Sequence, residues 1–342
     1  MLMKIVKAVA AAAVGLVLLD LFCAWYYNPA SYEWDEARAT DVIREPGAFT
    51  SRANEGFSST IIDENGYVNS QVPGEDGVFV LMMGSSHVEG LYVPQGDGVT
   101  AQLQSRLQES GLDGFVYNIG ISGHELPRNV NNLDRALTRF APSGYVVLET
   151  RTVVHNANLL FGVLDGKLHR NGSTKVVFSK LISDRPLVRT IYRQLLNLRS
   201  AEAAENDAGE EVNAEELEVS QELLDLYMET LSRLMRLVRE VTDAHGVTPI
   251  IYYHPTLQLQ EDGSVTTDTF QPALDIYKAA CAQERIAFLD MTDAFLEAYE
   301  TEHILPHGFI NTRPGTGHLN ADGNRIIAEA LCAEILKGEA DK

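Results

Sequence analysis

Short apolar runs alternate along the chain with stretches of helical spacing. Residues 78–83 are continuously apolar, as in a strand covered on both faces. Val99, Leu103 and Leu107 then recur every four residues, which predicts a helix. Further strand-like runs occupy 115–119, 145–148, 247–253 and 286–289, and Gly246 suits the position just past a helix end. The last element, 320–336, opens on Asn320 as N-cap, has Asp322 in its first turn, and lines up Ile327, Leu331 and Ile335 on one face. Five buried strands separated by helices predict an α/β fold with a doubly wound, mainly parallel five-stranded sheet. In such sheets ligands bind beyond the carboxyl ends of the strands.

Three stretches fall outside this rhythm. The segment 155–244 is a long helical and acidic insertion between the third and fourth strands. Its part 200–218 is acidic and of low complexity, as expected of a mobile surface loop. Behind it Leu224, Tyr227, Leu231, Leu234, Val238 and Val241 step by three and four; under three heptads long, this face predicts core packing rather than a zipper. Residues 29–77 are polar and read as an extended approach, with a hairpin-like turn signal at Asn65-Gly66 after Ile61-Ile62. The sheet-forming core would then span 78–338.

Residues 1–28 form a third kind of segment. Lys4 and Lys7 precede 20 residues, 8–27, that are apolar except for Asp20. At 1.5 Å per residue a helix of that length reaches about 30 Å, the thickness of a hydrocarbon core. Glu33, Asp35 and Glu36 follow, so the positive-inside rule puts the tail in the cytoplasm and the body outside. Trp25, Tyr26 and Tyr27 stand where an interfacial aromatic belt would. No small-x-small cleavage site follows, and Asp20-Leu21-Phe22 does not suit a lipidated Cys23. The expectation is an uncleaved single-pass anchor in the cell membrane with an extracytoplasmic body.

Charge narrows the partners. Lys and Arg number 27 against 48 Asp and Glu, a net charge of −21, which repels phosphate backbones and argues against nucleic acid. Three cysteines, Cys23, Cys281 and Cys332, cannot make a disulfide framework; Cys281 and Cys332 fall on predicted helices as buried thiols, with a bridge between them left open.

Candidate chemistry sits at strand ends. Gly84-Ser85-Ser86-His87-Val88-Glu89-Gly90 follows the first strand, where a tight turn into a helix can expose a serine nucleophile. Asn118-Ile119-Gly120-Ile121-Ser122-Gly123-His124 follows the second. Gly315-Thr316-Gly317-His318-Leu319-Asn320 precedes the last helix, and a histidine there can reach a serine on the first loop. His87, Arg151 and Asn311 are candidate pocket residues. His124 and His254 lie past strands two and four, on the same edge as His318, but no His-Glu-x-x-His or His-x-His spacing supports a metal. Neither a metal nor a cofactor is expected.

Together these pieces resemble the SGNH/GDSL hydrolase superfamily, and within it a membrane-anchored bacterial group with Gly-Ser-Ser-His in the first block. The resemblance runs over about residues 55–336 without the insertion. It implies a flavodoxin-like SGNH hydrolase fold, Ser86 as nucleophile, His318 as base, and backbone N–H groups of Ser86 and Gly120 as the oxyanion hole. Two blocks depart from the superfamily. Gly315 stands three before His318, where that pattern has the triad aspartate. The stretch from Leu148 through Glu149, Thr150 and Arg151 to Thr152 lacks the usual oxyanion asparagine. A backbone carbonyl on the histidine loop, Asp290, Asp293 or Glu149 could orient His318 instead. As structural alternatives, Asp290 and Asp293 could cap a helix near 291–300, Glu149 could pair with Arg151, and Ser85 could hold the turn by local hydrogen bonds.

The resemblance implies a serine esterase that removes O-acyl groups, acetyl among them, from a glycan or a related small ester. An O-acyltransferase using the same serine, and an inactive glycan-binding or assembly protein, are the alternatives.

Overall fold

The computed structural model describes residues 1–27, 44–51, 55, 57–74, 77–166, 185–188, 190–191 and 220–342. The acidic tract 200–218 and residues 28–43, with Glu33, Asp35 and Glu36, lie outside them.

Five strands form one parallel sheet: β3 (Val80–Met83), β4 (Val116–Asn118), β5 (Tyr145–Thr150), β6 (Thr248–Tyr253) and β9 (Ala287–Asp290), in the order β4-β3-β5-β6-β9. Val80 pairs with Val116 on one side and Tyr145 on the other, and Tyr253 pairs with Asp290 at the far edge. The chain therefore winds outward from β3 in both directions, and the crevice beside β3 is the switch point where such sheets bind ligands. The expected doubly wound architecture is the observed one.

Both faces are covered. Helices α3 (Val99–Glu109) and α9 (Ala321–Ala340) bury Leu103, Leu107, Ile327, Leu331 and Ile335 against one face. On the other face lie α4 (Leu126–Phe140), α6 (Gln221–His245) and α7 (Gln271–Gln283). The stepped apolar face of α6 packs into that core, with Leu231, Leu234 and Val238 fully buried. Between β5 and α6 the described part of the insertion holds α5 (Ala157–Leu164). Cys281 and Cys332 are free thiols in the two different cores, so the sheet lies between them and no bridge forms. Burial pushes the Cys281 thiol up to about 12. A small ribbon of β7 (Leu257–Leu259) and β8 (Val265–Thr267) follows β6, and α8 (Thr292–Glu302) follows β9.

The segment ahead of the sheet is not the extended approach that its polar composition predicts. β1 (Gly47–Ser51) and β2 (Ser58–Ile62) pair antiparallel, and Phe49 and Ile62 bury themselves with Val68 and Leu91. The Asn65-Gly66 turn does form, with Gly66 at φ +81° and the Gly66 N–H donating to Asp63 O at 2.9 Å. The Asp63 carboxylate then accepts from Asn69 Nδ2 at 3.0 Å and from the Tyr117 hydroxyl at 2.5 Å. Asn69 Oδ1 accepts from the Asn118 N–H at 3.0 Å. Buried polar groups need such partners, and these bind the ribbon to the end of β4, beside the switch point.

The first helix, α1 (Leu2–Tyr27), is long and apolar enough to cross a membrane by length and composition. Asp20, the costly residue in it, accepts from the Leu187 N–H at 3.0 Å and lies 3.6 Å from the Arg185 guanidinium.

Candidate active site

The β3 strand ends in Gly84, and no larger residue fits there. A Cβ would stand 2.3 Å from Val88 Cγ2 and 2.5 Å from Glu149 Oε2. Ser85 follows in extended conformation and caps the one-turn helix α2 (Ser86–Glu89), its Oγ accepting from the His87 N–H at 3.3 Å. Glu149, at the end of β5 and buried, accepts from the Ser85 N–H at 2.5 Å and the Ser85 hydroxyl at 2.9 Å. Ser85 thus holds the turn. Ser86 opens α2, where a backbone N–H has no intrahelical partner.

The loop before α9 folds back on itself. His307 forms an isolated antiparallel bridge with Leu319, and the Gly308 N–H donates to His318 O at 3.0 Å. This sets the His318 ring over the first loop, with Nε2 at 2.8 Å from Ser86 Oγ. On the ring's other side Nδ1 lies 2.5 Å from Glu55 Oε2, which also accepts from the His318 N–H at 2.8 Å. A carboxylate at Nδ1 fixes the proton there, so Nε2 is the acceptor for the serine hydroxyl. Serine, histidine and acid are joined in one relay.

The carboxylate on Nδ1 is that of Glu55, between β1 and β2, and not of one of the residues proposed from sequence. Burial pushes the Glu55 carboxyl up, but the hydrogen bonds and charge of His318, helped by Arg151, hold it below its ordinary value overall. Gly317, at φ +92°, makes room for it; a Cβ there would stand 2.7 Å from Glu55 Oε2. Asp290 instead pairs with Lys278 at 2.7 Å and accepts from the Thr292 N–H at 3.0 Å, as its capping alternative anticipated. Asp293 is exposed in the first turn of α8. Glu149 is engaged with Ser85 and with His254 Nε2 at 3.0 Å, not with Arg151. No backbone carbonyl is needed to orient the imidazole.

The oxyanion side also differs from expectation. The Gly120 N–H donates to Asn118 Oδ1 at 2.8 Å. Gly120 is required for another reason: its Cβ would stand 2.5 Å from the Glu89 backbone N. Close approach of the second loop to α2, not a free amide, explains this glycine. Glu89, buried, ties that loop down by accepting from the Ser122 N–H at 3.0 Å and from Arg44 Nε at 2.5 Å. Arg151 and Asn311 are exposed, Arg151 just past β5 and Asn311 in the loop ahead of His318.

The half-buried ring of Tyr92 lies on the His318 ring at 4.2 Å, with Phe309 6.5 Å further on. Beneath His318 is His87, ring centroids 4.9 Å apart. His87 is buried, as are His254 and His307 beside it. Burial, then the neighbouring histidines, holds His87 well below the ordinary value and His307 down to about 2, so both rings are neutral. His307 carried no signal in the sequence reading, and the structure groups His254 with His87 and His307 rather than with His124 and His318.

Solved structures similar to this chain include TesA, at 16% identity over 76% of this chain and 98% of that one, with a TM-score of 0.40. A family 3 carbohydrate esterase from Clostridium thermocellum is 14% identical over 77% and 98%, with a TM-score of 0.39. The psychrotrophic esterase EstA from Pseudoalteromonas is 13% identical over 77% and 99%, with a TM-score of 0.38. No family model and no curated protein matches the chain.

Proposed function

We propose that the protein is a serine ester hydrolase of SGNH type acting through Ser86, His318 and Glu55. The observation that carries this reading is the continuous relay Ser86 Oγ–His318 Nε2, His318 Nδ1–Glu55, at 2.8 and 2.5 Å. A serine hydroxyl is a weak nucleophile until a base takes its proton. Here the imidazole accepts that proton as Oγ attacks the ester carbonyl. Glu55 keeps the ring in the required tautomer and stabilises the imidazolium. The Ser86 N–H faces the developing oxyanion. His318 then protonates the leaving alcohol, and water repeats the sequence to release the acid.

The proposed substrate is an O-acyl group, acetyl being the simplest, on a glycan or related ester. The half-buried Tyr92 ring on His318, with Phe309 next to Tyr92, offers an apolar wall for the alcohol portion. The complete relay supports a live enzyme over an inactive binding protein. We place the body outside the cell on an uncleaved α1; Lys4 and Lys7 before the span support that orientation, and the partners of Asp20 lower the cost of a carboxylate in it.

A fluorophosphonate probe tests the chemistry. Stoichiometric labelling of the wild type at Ser86, lost in Ser86→Ala, is expected; a wild type that neither labels nor hydrolyses any acyl ester overturns the proposal. A mature N-terminus near residues 24–30 would overturn the uncleaved anchor.

A further inference from the structure

Beneath the triad three buried imidazoles meet. The rings of His87 and His254 are 4.9 Å apart, His87 and His307 5.7 Å, and His254 and His307 5.5 Å. Four of their ring nitrogens are buried without any hydrogen-bond partner: His87 Nε2, His254 Nδ1 and both nitrogens of His307. Leaving so many polar atoms unmatched in one place costs stability unless something occupies the space between them.

We propose that His87, His254 and His307 bind one divalent transition-metal ion of the zinc type. One ligand atom from each lies within 4.8 Å of the others. Metal–nitrogen bonds of 2.0–2.1 Å put tetrahedral ligands about 3.3 Å apart, so the rings draw in by up to about 1.5 Å. Imidazole donors with no carboxylate among them suit zinc and its neighbours over calcium or magnesium.

The surroundings fit. His254 Nε2 bonds to Glu149 at 3.0 Å, the outer-shell carboxylate that orients a ligating histidine and leaves Nδ1 free for the ion. His307 is unpartnered at both nitrogens. His87 Nδ1 accepts from the Leu319 N–H at 3.2 Å, a long bond. Coordination through Nε2 moves the ring proton to Nδ1 and turns that edge from the amide.

The ion would act by position. His87 follows Ser86 directly, His307 bridges to Leu319 beside His318, and His254 holds the Glu149 that holds Ser85. One metal would join the two segments that carry the nucleophile and the base to the end of β6, without touching substrate.

The test uses the full chain purified in detergent. Elemental analysis should find about one zinc or similar ion per chain. After chelation, titration with zinc alone should saturate at one equivalent, and cobalt should give the visible bands of a four-coordinate site made of three imidazole nitrogens and a water. His307→Ala should weaken zinc binding by more than about 100-fold. Removing His307 also empties a buried position, so the wild-type cobalt spectrum is the deciding measurement. No resident ion and no saturable binding by the wild type would overturn the proposal and leave the cavity to water. So would unchanged affinity in folded His307→Ala and His254→Ala.

Discussion

Glu55 and His318 stand 263 positions apart, yet one carboxylate oxygen accepts from both the ring Nδ1 and the backbone N–H of that histidine. The double contact fixes the ring and its loop together. The carboxylate comes from a ribbon outside the sheet, where the superfamily pattern would put an aspartate three residues before the histidine.

The first expectation follows directly. Glu55→Gln should lower kcat by about 10⁴-fold with little change in KM, as loss of the orienting acid does in serine hydrolases. Asp290→Asn should stay within a few-fold of wild type and lose at most about 1 kcal/mol with its half-exposed ion pair to Lys278. Steady-state kinetics on an aryl acetate checks both; a thousandfold loss in Asp290→Asn would assign the acid there instead.

Acid should remove the stability that the Glu55 carboxylate contributes. The Glu55 carboxyl is held below its ordinary value of 4.5, so the unfolded chain takes up its proton first as pH falls. The stability it contributes is fully present above about pH 4.5 and is lost as pH drops through the lower folded value. The melting-temperature gap between wild type and Glu55→Gln should therefore close as pH falls below 4.5. A gap independent of pH would show that the carboxylate charge contributes nothing.

The two adjacent serines should separate cleanly. Ser86→Ala should abolish turnover and leave the melting curve nearly unchanged, because its Oγ serves only the relay. Ser85→Ala removes the α2 cap and one partner of Glu149. It should keep measurable turnover while losing about 1 kcal/mol of stability. The reverse outcome would make Ser85 the nucleophile.

Gly317→Ala probes the fit around the acid. Its Cβ would collide with the Glu55 carboxylate at 2.7 Å, at a φ that alanine adopts only with strain. A fall in kcat of at least about tenfold is expected, larger than the fall in stability alone explains. An unaffected kcat would mean that the carboxylate has a second productive position.

Cleavage of α1 should spare the body. A chain truncated after residue 28 should stay folded, because the apolar stretch of α1 is exposed almost throughout, with Cys23 its one buried apolar residue among those described. Near-wild-type circular dichroism of the truncated chain checks this; an unfolded product would make the helix part of the core.

The sheet, Ser86 and His318 were legible because each is written locally: an apolar run, a glycine turn, a capped amphipathic helix. Glu55 was not. It lies in a polar stretch without periodicity, and its partner is joined to it only after the chain has wound a whole sheet. The signal that existed was negative. Gly315 stands where an acid belongs, and Gly317 beside the histidine implies that something fills the space a side chain would take. Gly120 misled for a related reason: a glycine marks close approach equally well whether its amide is free or, as here, bonded to Asn118. His307 escaped notice because no spacing links it to His87 or His254; only the bridge to Leu319 brings it under the site.

The pairing of β1 with β2 has a practical side. A recombinant fragment beginning at Val78, where the first core strand invites a cut, would keep the serine and the histidine and discard the residue that makes them a triad. Such a fragment would be a dyad, on a scaffold that has also lost Asp63, Asn69 and Arg44, the partners of Tyr117, Asn118 and Glu89. A screen run on it would report a weak enzyme, whatever ester was offered, and the shortfall would be an artefact of where the gene was trimmed.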